Sequence, residues 1–485
     1  MIFSSFEFNK EEAIYNQIKN HIKENIDKGI LKKGSKLPST RELSNILGVS
    51  RSTIVTAYEI LESEGIIQSV KGKGTFVNYE FKCKEKEFNI DWDLRINNYA
   101  AACERLDIIK TELTWKKGMI SFKSIAPDEN LFDIDEFKRA FLNAWSLEGE
   151  KLLNYGYARG YKPLIDFLAA YMRDKGVSTE GKEILITNGF TEGFDMIISS
   201  LTVPGDTVLC ENPTHNTALK IMKAHELRVI GVPLDEEGIK ADRLKEALEG
   251  NQIKLAYVIP SYHNPTGIVM KGEKRKEIFD LFQKYSVPII EDGFNEELLY
   301  SSSHVPPMAS LCSNGNGVIY IGSFSKILSP GLRLGWILAD KSLISTLESV
   351  KRARNIHSSF LDQGILYNYM ISGSFRKYVK RVRRHYRDKY KFTLEKIKEY
   401  IPCEKILGEG GLHIFIKLKG VNARKVLDIC YRKGVVFTPG DIFYTDNQGE
   451  ETLRIGFSRV KKEDIEKGIK IIGESVKEVG GLNKD

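Results

Sequence analysis

Lys326 and Arg333 stand seven residues apart after an apolar run, within the strings SFSK (323–326) and PGLR (330–333). A lysine amine can form an imine with an aldehyde, and a planar guanidinium can bind a phosphate dianion with help from the Ser323 hydroxyl. SFSK alone is a weak signal, because such a lysine is usually just exposed. Its combination with the downstream arginine predicts a pocket for a phosphorylated aldehyde.

Three more candidate groups come directly after apolar runs, where buried strands would end. Asp292 ends the run 287–292, Asn264 lies in HNPTG, and His215 lies in ENPTH. A carboxylate can keep a pyridine nitrogen protonated, an amide can donate to a phenolic oxygen, and an imidazole can lie flat over a ring. Taken singly, the aspartate is commonly a cap, NPTG is a turn signal and a lone histidine is more often a surface residue.

A turn between a strand and a helix adds a second place for phosphate. Gly189, Phe190 and Thr191 follow the run 183–187 at a predicted helix start, where free N–H groups and the helix dipole favour an anion. With the groups above, this turn meets the demands that pyridoxal 5′-phosphate (PLP) makes of a protein. We therefore expect PLP as the cofactor, with Lys326 as the catalytic lysine.

Apolar runs of strand length alternate with helical stretches from about residue 118 onward. The runs are 183–187, 207–211, 255–260, 287–292, 318–322 and 334–339. Nearly continuous apolar strands separated by helices are typical of a mainly parallel sheet covered by helices on both faces. The predicted fold class of this part is α/β, and a chain of 485 residues has room for a second, smaller domain.

The first 78 residues have the pattern of three short helices and a hairpin. The apolar stripe of the first helix is predicted to face a core and consists of Ile14, Ile18, Ile22 and Ile26. Ser39 with Glu42 forms a capping box, so a second helix starts there and ends at Gly48. We expect its apolar residues to point inward; they are Leu43, Ile46 and Leu47.

Ser50 can cap a third helix that begins with Arg51, Ser52 and Thr53 after a short turn, the layout of a helix-turn-helix. The first turn of this helix would face the major groove of DNA. Strand-like runs at 66–70 and 75–77 flank KGKG, a basic glycine-rich turn that predicts a wing with Lys73 near the DNA backbone. Three amphipathic helices alone are more often plain packing, so the DNA prediction depends on the motif.

Composition is compatible with these predictions without requiring them. The net charge is +7, and in residues 1–78 eleven Lys and Arg oppose nine Asp and Glu, so bulk charge does not argue for DNA. The six cysteines form no C-x-x-C pair, which suits reduced thiols and no metal site. No signal peptide or long apolar segment is present in the sequence, so we expect a soluble cytoplasmic protein without a membrane partner.

The N-terminal strings LPSTREL, GVSRSTIVTAYEILESEGII and KGKGTFV resemble the GntR-family winged helix-turn-helix over nearly its whole length. The resemblance implies double-stranded operator DNA as a partner. It also implies DNA contacts by the groove residues and the wing, namely Arg41, Arg51, Ser52, Thr53 and Gly74. The cap residues Ser39 and Ser50 and the wing residue Lys73, found from the local pattern, complete the expected contacts.

Residues of about 118–480 resemble the fold-type I PLP-dependent aminotransferases in motifs and in their order. The resemblance implies Lys326 as the Schiff-base residue and Asp292 as the pyridinium partner. It assigns Asn264 to O3′ and His215 to the ring face. The implied phosphate ligands are Ser323, Arg333 and the turn of Gly189, Phe190 and Thr191. It also implies that Tyr155 reaches a neighbouring subunit's phosphate and that Arg454, in LRIGF, grips a substrate carboxylate.

Two positions depart from the family pattern. The family often has a tyrosine two residues after the pyridinium aspartate, and here that position is Phe294. The stacking aromatic residue is commonly tyrosine, and here it is His215. Loss of the tyrosine hydroxyl should weaken stabilisation of the imine's phenolate form and shift the imine pKa, so we expect an intact cofactor site that is less suited to fast turnover.

The two halves together resemble the MocR subfamily of GntR regulators. Residues 79–117 are irregular and charged, as in a linker, and they separate a winged helix-turn-helix at 1–78 from an aminotransferase-like domain at 118–485. The resemblance implies a small C-terminal α+β subdomain within the latter. It also implies a head-to-tail homodimer and a small amino compound as effector. We expect an effector-responsive transcription regulator. The alternatives are an active aminotransferase that carries a DNA-binding head, and a regulator for which PLP itself is the signal.

The segment from Arg376 to Arg387 is densely basic, reading RKYVKRVRRHYR. We predict a solvated helix face there. A secondary contact with the DNA backbone is the alternative.

Overall fold

The computed structural model describes residues 2–3, 6–79, 89–293, 296–300, 304–446 and 448–482. The chain forms two compact units, Met1–Arg95 and Ile96–Asp485. Phe294, one of the two departures from the family pattern, lies outside the described residues.

The smaller unit is a helical core with a three-stranded sheet. Its elements are α1 (Ile14–Asp27), β1 (Lys36–Leu37), α2 (Thr40–Leu47), α3 (Arg51–Ser63), β2 (Ile67–Val70) and β3 (Gly74–Val77). The sheet has the order β1-β3-β2 with antiparallel pairs, so the hairpin of β2 and β3 gains a third strand from the turn before α2. The predicted helices and the predicted wing are confirmed.

Caps and apolar contacts explain where these helices begin and how they pack. Ser39 and Glu42 form the predicted capping box at α2, and the Ser50 side chain accepts from the Thr53 N–H at α3 (3.2 Å). Most of the predicted stripe on α1 is buried with Leu43 of α2. The apolar pattern was wrong at two positions: Ile14 is 40% exposed and Ile46 is 38% exposed, because they lie at the edges of the packed faces.

The larger unit alternates helices and strands. Its helices are α4 (Asn98–Arg105), α5 (Ile108–Thr111), α6 (Ile134–Leu153), α7 (Lys162–Asp174), α8 (Phe190–Leu201), α9 (Asn216–Ala224), α10 (Ala241–Gly250), α11 (Gly272–Lys284), α12 (Lys341–Asn355), α13 (Phe360–Ile371), α14 (Ser374–Tyr400), α15 (Ala423–Arg432) and α16 (Lys462–Leu482). Its strands are β4 (Ile120–Ser121), β5 (Lys182–Thr187), β6 (Thr207–Asn212), β7 (Arg228–Pro233), β8 (Leu255–Val258), β9 (Ile289–Asp292), β10 (Val318–Ser323), β11 (Gly335–Asp340), β12 (Cys403–Leu407), β13 (His413–Leu418), β14 (Val435–Val436), β15 (Thr438–Pro439) and β16 (Thr452–Gly456).

A seven-stranded sheet with the order β5-β11-β10-β9-β8-β6-β7 forms the centre of this unit. Strands β7, β6, β8, β9 and β10 run parallel, while β11 is antiparallel to both of its neighbours. Separate apolar clusters pack on the two faces of the sheet, as expected for strands buried on both sides. The six predicted strands are present to within a few residues at each end.

The C-terminal part forms a smaller layer of sheet and helices with its own apolar cluster. Strands β12, β13, β16 and β15 pair antiparallel in that order, and α15 and α16 pack beside them. The short strand β4 pairs in parallel with β14, so the segment that precedes α6 also contributes a strand to this subdomain. This matches the predicted small C-terminal α+β subdomain.

The second half of the predicted linker, 79–117, is ordered as α4 and α5. The ring of Tyr99 in α4 lies 5.0 Å from that of His225, and its hydroxyl lies 3.5 Å from Asp195 Oδ1. Charged residues made this segment look irregular, but local caps at Asn97 and Asp107 start the two short helices. Within the described residues, no helix combines the length and the apolar character needed to span a membrane.

Substitution of Gly322 tests how the central sheet supports the segment around Lys326. A Cβ atom at this position of β10 would lie 2.1 Å from the Trp336 ring of β11. We expect Gly322→Ala to lower the free energy of unfolding by about 2 kcal/mol or more, because the ring cannot move within a packed core. Denaturant unfolding measures this change. Gly317→Ala, just before the same strand, meets no atom within 4 Å and is the matched control. Equal stability of the two variants would contradict this account of the packing.

Candidate cofactor site and candidate DNA-contacting surface

The carboxyl ends of the parallel strands enclose a cavity of about 190 Å³. Asp292 ends β9, Ser323 ends β10, and His215 follows β6. The cavity is lined by Phe190, Thr191, His215, Thr217, Asp292, Ser323, Ser325, Lys326, Pro330 and Arg333. The structure therefore brings most of the predicted cofactor residues together at one edge of the sheet, as parallel strands require.

Asp292 is buried at the closed end of this cavity. Tyr257, from the neighbouring strand β8, donates its hydroxyl to Asp292 Oδ2 (2.7 Å). Burial raises the pKa of Tyr257 well above its ordinary value, and the adjacent carboxylate raises it further. Tyr257 therefore stays a neutral donor that orients the carboxylate. A carboxylate held in this way can pair with a protonated ring nitrogen.

Asn264 and Arg454 come from distant parts of the chain and bind each other. Arg454 Nη1 donates to Asn264 Oδ1 (2.7 Å), which leaves Asn264 Nδ2 buried without a hydrogen-bond partner among the described residues. Buried amide donors are almost always paired, so this N–H group is suited to a ligand oxygen. Burial also lowers the pKa of Arg454 to about 9, and its guanidinium lies 4.8 Å from the centre of the Phe443 ring.

Lys326 is poised as a nucleophile. It lies in the turn after β10, and both burial and the positive charge of Arg454 lower the pKa of its amine to about 8. Arg459 and Arg333 act in the same direction at longer range. A substantial fraction of this lysine is therefore neutral near physiological pH, and the neutral amine is the form that attacks an aldehyde.

The end of the cavity nearest α8 is built for an anion. Gly189 caps α8 with a φ of +81°, and Arg333 Nη2 donates to the Asn188 carbonyl (3.0 Å) directly beside it. A Cβ atom at Gly189 would lie 3.0 Å from Arg333 Nη2, so this close approach of backbone and guanidinium needs a glycine. Free N–H groups of α8 and a guanidinium together are typical of a phosphate site.

His215 lines the same cavity as Lys326. Burial lowers the pKa of its imidazole to about 3, and the nearby positive charges of Lys326 and Arg454 add to this effect. The ring is therefore neutral, and it lies 5.3 Å from the Phe190 ring. A neutral imidazole can cover a heteroaromatic ring without adding charge.

A second, larger cavity of about 470 Å³ shares Lys326, His215 and Thr217 with the first. Asn264 and Arg454 line its polar end. The charged Glu112 and Lys123 also line it, and its apolar lining residues are Ile108, Ile109, Trp115, Ile125, Pro439 and Ile442. A molecule in this cavity would reach Lys326 from the side of the carboxylate-binding candidate, Arg454.

Some outcomes differ from the pattern expected from sequence. Tyr155 is 81% exposed and lines neither cavity, so its role toward a neighbouring subunit stays a prediction. Sequence reasoning missed Tyr257, Glu211 and the wall at 108–115. Glu211 accepts the Ile259 N–H (2.8 Å) and so ties β6 to the loop that carries Asn264. Polar residues inside apolar strand runs were the available signal for Tyr257 and Glu211.

The exposed surface of α2 and α3 holds the predicted DNA contacts. Arg41, Arg51 and Ser52 are exposed, and Arg51 Nε lies 3.4 Å from Thr40 Oγ1, which joins the first turns of both helices. The hydroxyls at the start of α3 already bind each other, because the capping Ser50 Oγ lies within hydrogen-bond distance of the hydroxyls of both Ser52 and Thr53. Lys73 and Gly74 are exposed at the turn of the wing, where Gly74 packs against Lys36 of β1.

The residues of the first cavity fit PLP. A buried carboxylate, a lysine of lowered pKa and an anion site line this cavity, and the unpaired amide donor of Asn264 lines the adjoining larger cavity, which shares Lys326. The described groups around Lys326 are also rich in positive charge from Arg333, Arg454 and Arg459. A phosphate dianion and a carboxylate would balance this charge.

The lowered pKa of Lys326 predicts the pH dependence of aldehyde capture. Pyridoxal, which lacks the phosphate charge, should be captured with a rate that rises through pH 8 and levels off above it. An ordinary lysine would show its midpoint near pH 10.4. Borohydride trapping followed by mass spectrometry of the Lys326 peptide gives the rate, and Lys326→Arg gives the background. A midpoint near pH 10 would show that the amine is not activated by its surroundings.

Two family models match the chain. Aminotransferase class I and II matches residues 124–472, and bacterial regulatory proteins of the gntR family match residues 14–77. An aromatic-amino-acid aminotransferase of Thermococcus litoralis is 31% identical over 77% of this chain and 91% of its own length. YdfD of Bacillus subtilis, an uncharacterized HTH-type transcriptional regulator, is 29% identical over 96% of both chains.

Solved structures share the fold of the larger unit. A multiple substrate aminotransferase from Thermococcus profundus superposes with a TM-score of 0.76 at 29% identity, over 81% of this chain and 100% of its own. The α-aminoadipate aminotransferase LysN of Thermus thermophilus, complexed with N-(5′-phosphopyridoxyl)-L-leucine, gives 0.74 at 29% identity and the same coverage. PLP is therefore the cofactor that the larger unit is built to hold. The chain belongs to the class I and II aminotransferase family, and its gntR-type domain gives it the architecture of the MocR transcriptional regulators.

Proposed function

We propose that this chain is a DNA-binding transcriptional regulator whose larger unit responds to an amino compound at Lys326. The observation that carries the proposal is the position of Lys326, which faces both cavities at once. A cofactor in the smaller cavity and an effector in the larger one would therefore meet at this amine. The gntR-type domain supplies the element that reads DNA.

Each residue of the site has a proposed part. When bound, PLP supplies an electrophilic carbon and an electron-withdrawing ring. Lys326 holds the cofactor covalently, and Asp292, oriented by Tyr257, keeps a proton on the ring nitrogen. Asn264 Nδ2 donates to the phenolic oxygen, and His215 covers the ring. The phosphate is bound by Ser323, by Arg333 and by the turn of Gly189, Phe190 and Thr191.

Arg454 is proposed to bind the carboxylate of the effector. Its Nε atom is buried without a hydrogen-bond partner in the described part of the chain, and it lines the larger cavity. A carboxylate there would gain charge-assisted hydrogen bonds and would raise the pKa of the guanidinium back toward its ordinary value. The apolar wall of the same cavity leaves room for the rest of the effector.

The wall at 108–115 offers a route for the response. Ile108, Ile109 and Trp115 line the effector cavity, and the chain on their N-terminal side leads through α4 toward the smaller unit. An effector that packs against this wall changes the contacts of the N-terminal segment of the larger unit. We propose that this change alters the DNA binding of the heads.

DNA binding itself is assigned to α2, α3 and the wing. Arg51, Ser52 and Thr53 would enter the major groove, since the first turn of α3 exposes its donors there. Arg41 and Lys73 would contact phosphates, as would the backbone at Gly74 and at the caps Ser39 and Ser50.

We further propose a head-to-tail homodimer. The outer side of α6 exposes large apolar side chains, and Tyr155 and Tyr157 follow it directly. The exposed large apolar residues of α6 are Ile134, Phe141, Leu142, Trp145, Leu147 and Leu153. A surface of this kind is typical of an interface. In such a dimer Tyr155 would reach the partner's phosphate site.

An active aminotransferase with a DNA-binding head is the second candidate. The candidate catalytic set, Lys326, Asp292 and Arg454, is complete, and an aminotransferase relative is 31% identical. This candidate predicts repeated turnover with an amino donor and a 2-oxo acid.

Lys326→Ala tests whether the response depends on cofactor attachment. Amino compounds are screened on the PLP-loaded protein by visible absorption and by binding to DNA from its own promoter region. We expect the variant to bind this DNA but to lose the effect of any active compound, because the covalent link is gone.

Full effector response by Lys326→Ala would refute the proposed sensing. Robust steady-state transamination by the wild type would put the enzyme candidate first.

Arg454→Gln tests the carboxylate site. We expect the affinity for carboxylate-bearing amino compounds to fall about 10- to 100-fold, the equivalent of roughly 1.5–3 kcal/mol for charged hydrogen bonds. Uptake of PLP should persist. Arg459→Gln is the matched control, because its Nε is already bound to the Pro127 carbonyl (2.9 Å). An equal loss in both variants would assign the effect to general charge rather than to a specific contact.

A further inference from the structure

Helix α14 carries an unusual density of positive charge. Between residues 376 and 391 it contains nine Lys and Arg and one acidic residue, Asp388. The opposite side of the same helix is buried in the larger unit by Tyr378, Val382 and Tyr386. Packing therefore fixes which side of α14 faces solvent.

Five of these cations form a line on the solvent side, which we call the cationic stripe. It consists of Lys377, Lys380, Arg384, Arg387 and Lys391, all exposed. Their spacing alternates between three and four residues, which places them on one face of the helix. At 1.5 Å per residue the stripe is about 21 Å long, the axial length of about six phosphates on one strand of duplex DNA.

Neighbouring cations of α14 are used within the protein, whereas the stripe is not. Arg381 Nη2 donates to the Leu131 carbonyl (2.9 Å), Arg383 to the Glu297 carbonyl, and Lys389 Nζ to the Ser458 carbonyl (2.6 Å). In the stripe, Arg387 lies 3.9 Å from Asp388. The side chains of the other four form no ion pair or hydrogen bond with any residue that the structure describes.

The stripe works against the stability of its own helix. Like charges three and four residues apart repel each other, and here they do so along four helical turns. Other surface helices of this chain interleave acids, as in the Lys274–Glu277 and Lys276–Asp280 pairs of α11. Burial of the opposite side of α14 offsets the repulsion, so the stripe is not explained by folding.

We infer that the cationic stripe binds the phosphate backbone of double-stranded DNA, as a second contact surface outside the gntR-type domain. Its side chains are flexible cations, and the tyrosines of this stretch are buried or half-buried, so His385 is the one exposed ring among residues 377–391. This composition suits the backbone of a duplex, whereas single strands are usually held by stacking on exposed aromatic rings. The contact is independent of base sequence. The inference depends on the proposed DNA-binding function only in naming duplex DNA, rather than another polyanion, as the partner of the stripe.

The test is the salt dependence of binding to a mixed-sequence duplex of about 60 base pairs, because each phosphate contact contributes about 0.9 to the slope of log K against log salt. The triple variant Lys377→Gln, Lys380→Gln, Arg384→Gln should reduce the slope by about 2–3 and weaken binding at least tenfold near 0.1 M salt. Unchanged circular dichroism and PLP absorption confirm its fold.

A matched variant controls for net charge. Lys467→Gln, Lys470→Gln and Lys477→Gln remove three exposed lysines from α16, where acids such as Glu474 and Glu478 alternate with them. This control should keep the wild-type slope. The charge-conserving variant Lys377→Arg, Lys380→Arg, Arg384→Lys should also keep the wild-type slope. That result would assign the change in the glutamine variant to lost charge and not to misfolding.

A head variant separates this inference from the proposed function. Arg51→Ala with Thr53→Ala should abolish preference for the promoter fragment, yet the stripe substitutions should still lower its slope on mixed-sequence DNA. The inference is overturned if the stripe variant and the α16 control lose the same slope, or if neither loses any. It is equally overturned if single-stranded RNA, and not duplex DNA, shows the stripe-dependent slope.

Discussion

Strands β6, β8, β9 and β10 lie parallel and end at one edge of the central sheet, and the cofactor site depends on this alignment. The register places Ile321 of β10 beside Asp292 of β9, and Val258 of β8 beside Glu291. Lys326 therefore follows β10 and Asn264 follows β8, the two strands that flank β9 and its aspartate. No single loop could hold these groups, because each is positioned by a different strand whose neighbours are buried on both faces.

Positive charge dominates the space that this alignment encloses. Lys326 and Arg454 are both buried enough for their pKa values to fall, to about 8 and about 9, and the positive charge of Arg333 reinforces the shift at the lysine. An isolated buried cation is costly, so a site of this kind is stabilised when anionic ligands enter. The cofactor phosphate and an effector carboxylate are such anions. The lowered lysine pKa and the affinity for anions thus have the same physical origin.

Positive charges occur in two different settings in this chain, one enclosed and one exposed. Around the cofactor, cations are enclosed and aimed at small anions. On α14 they are spread along an exposed line that is held in place by a buried face rather than by ion pairs. Buried contacts on the far side make both arrangements possible, since they supply the stability that the exposed or enclosed charges do not.

Local patterns in the sequence determined the elements and the chemical candidates. Continuous apolar runs predicted the strands, the capping box at Ser39 predicted α2, and the residues after the strands predicted the cofactor groups, because each signal lies within a few neighbouring residues. These signals also placed Lys326 and Asp292 at the strand ends, where the structure has them.

Only the tertiary structure decided which of these groups touch and which side chains support them. The Arg454–Asn264 hydrogen bond joins residues 190 positions apart, and Tyr257 of β8 donates to Asp292 of the neighbouring strand β9. The wall at 108–115 was hidden in a segment that resembled a linker, and Ile14 and Ile46 were exposed despite their apolar pattern. Periodicity in the sequence predicts which face of a helix or strand is buried. Which side chains touch depends on how elements far apart in the sequence pack together, and a short-range pattern does not contain that information.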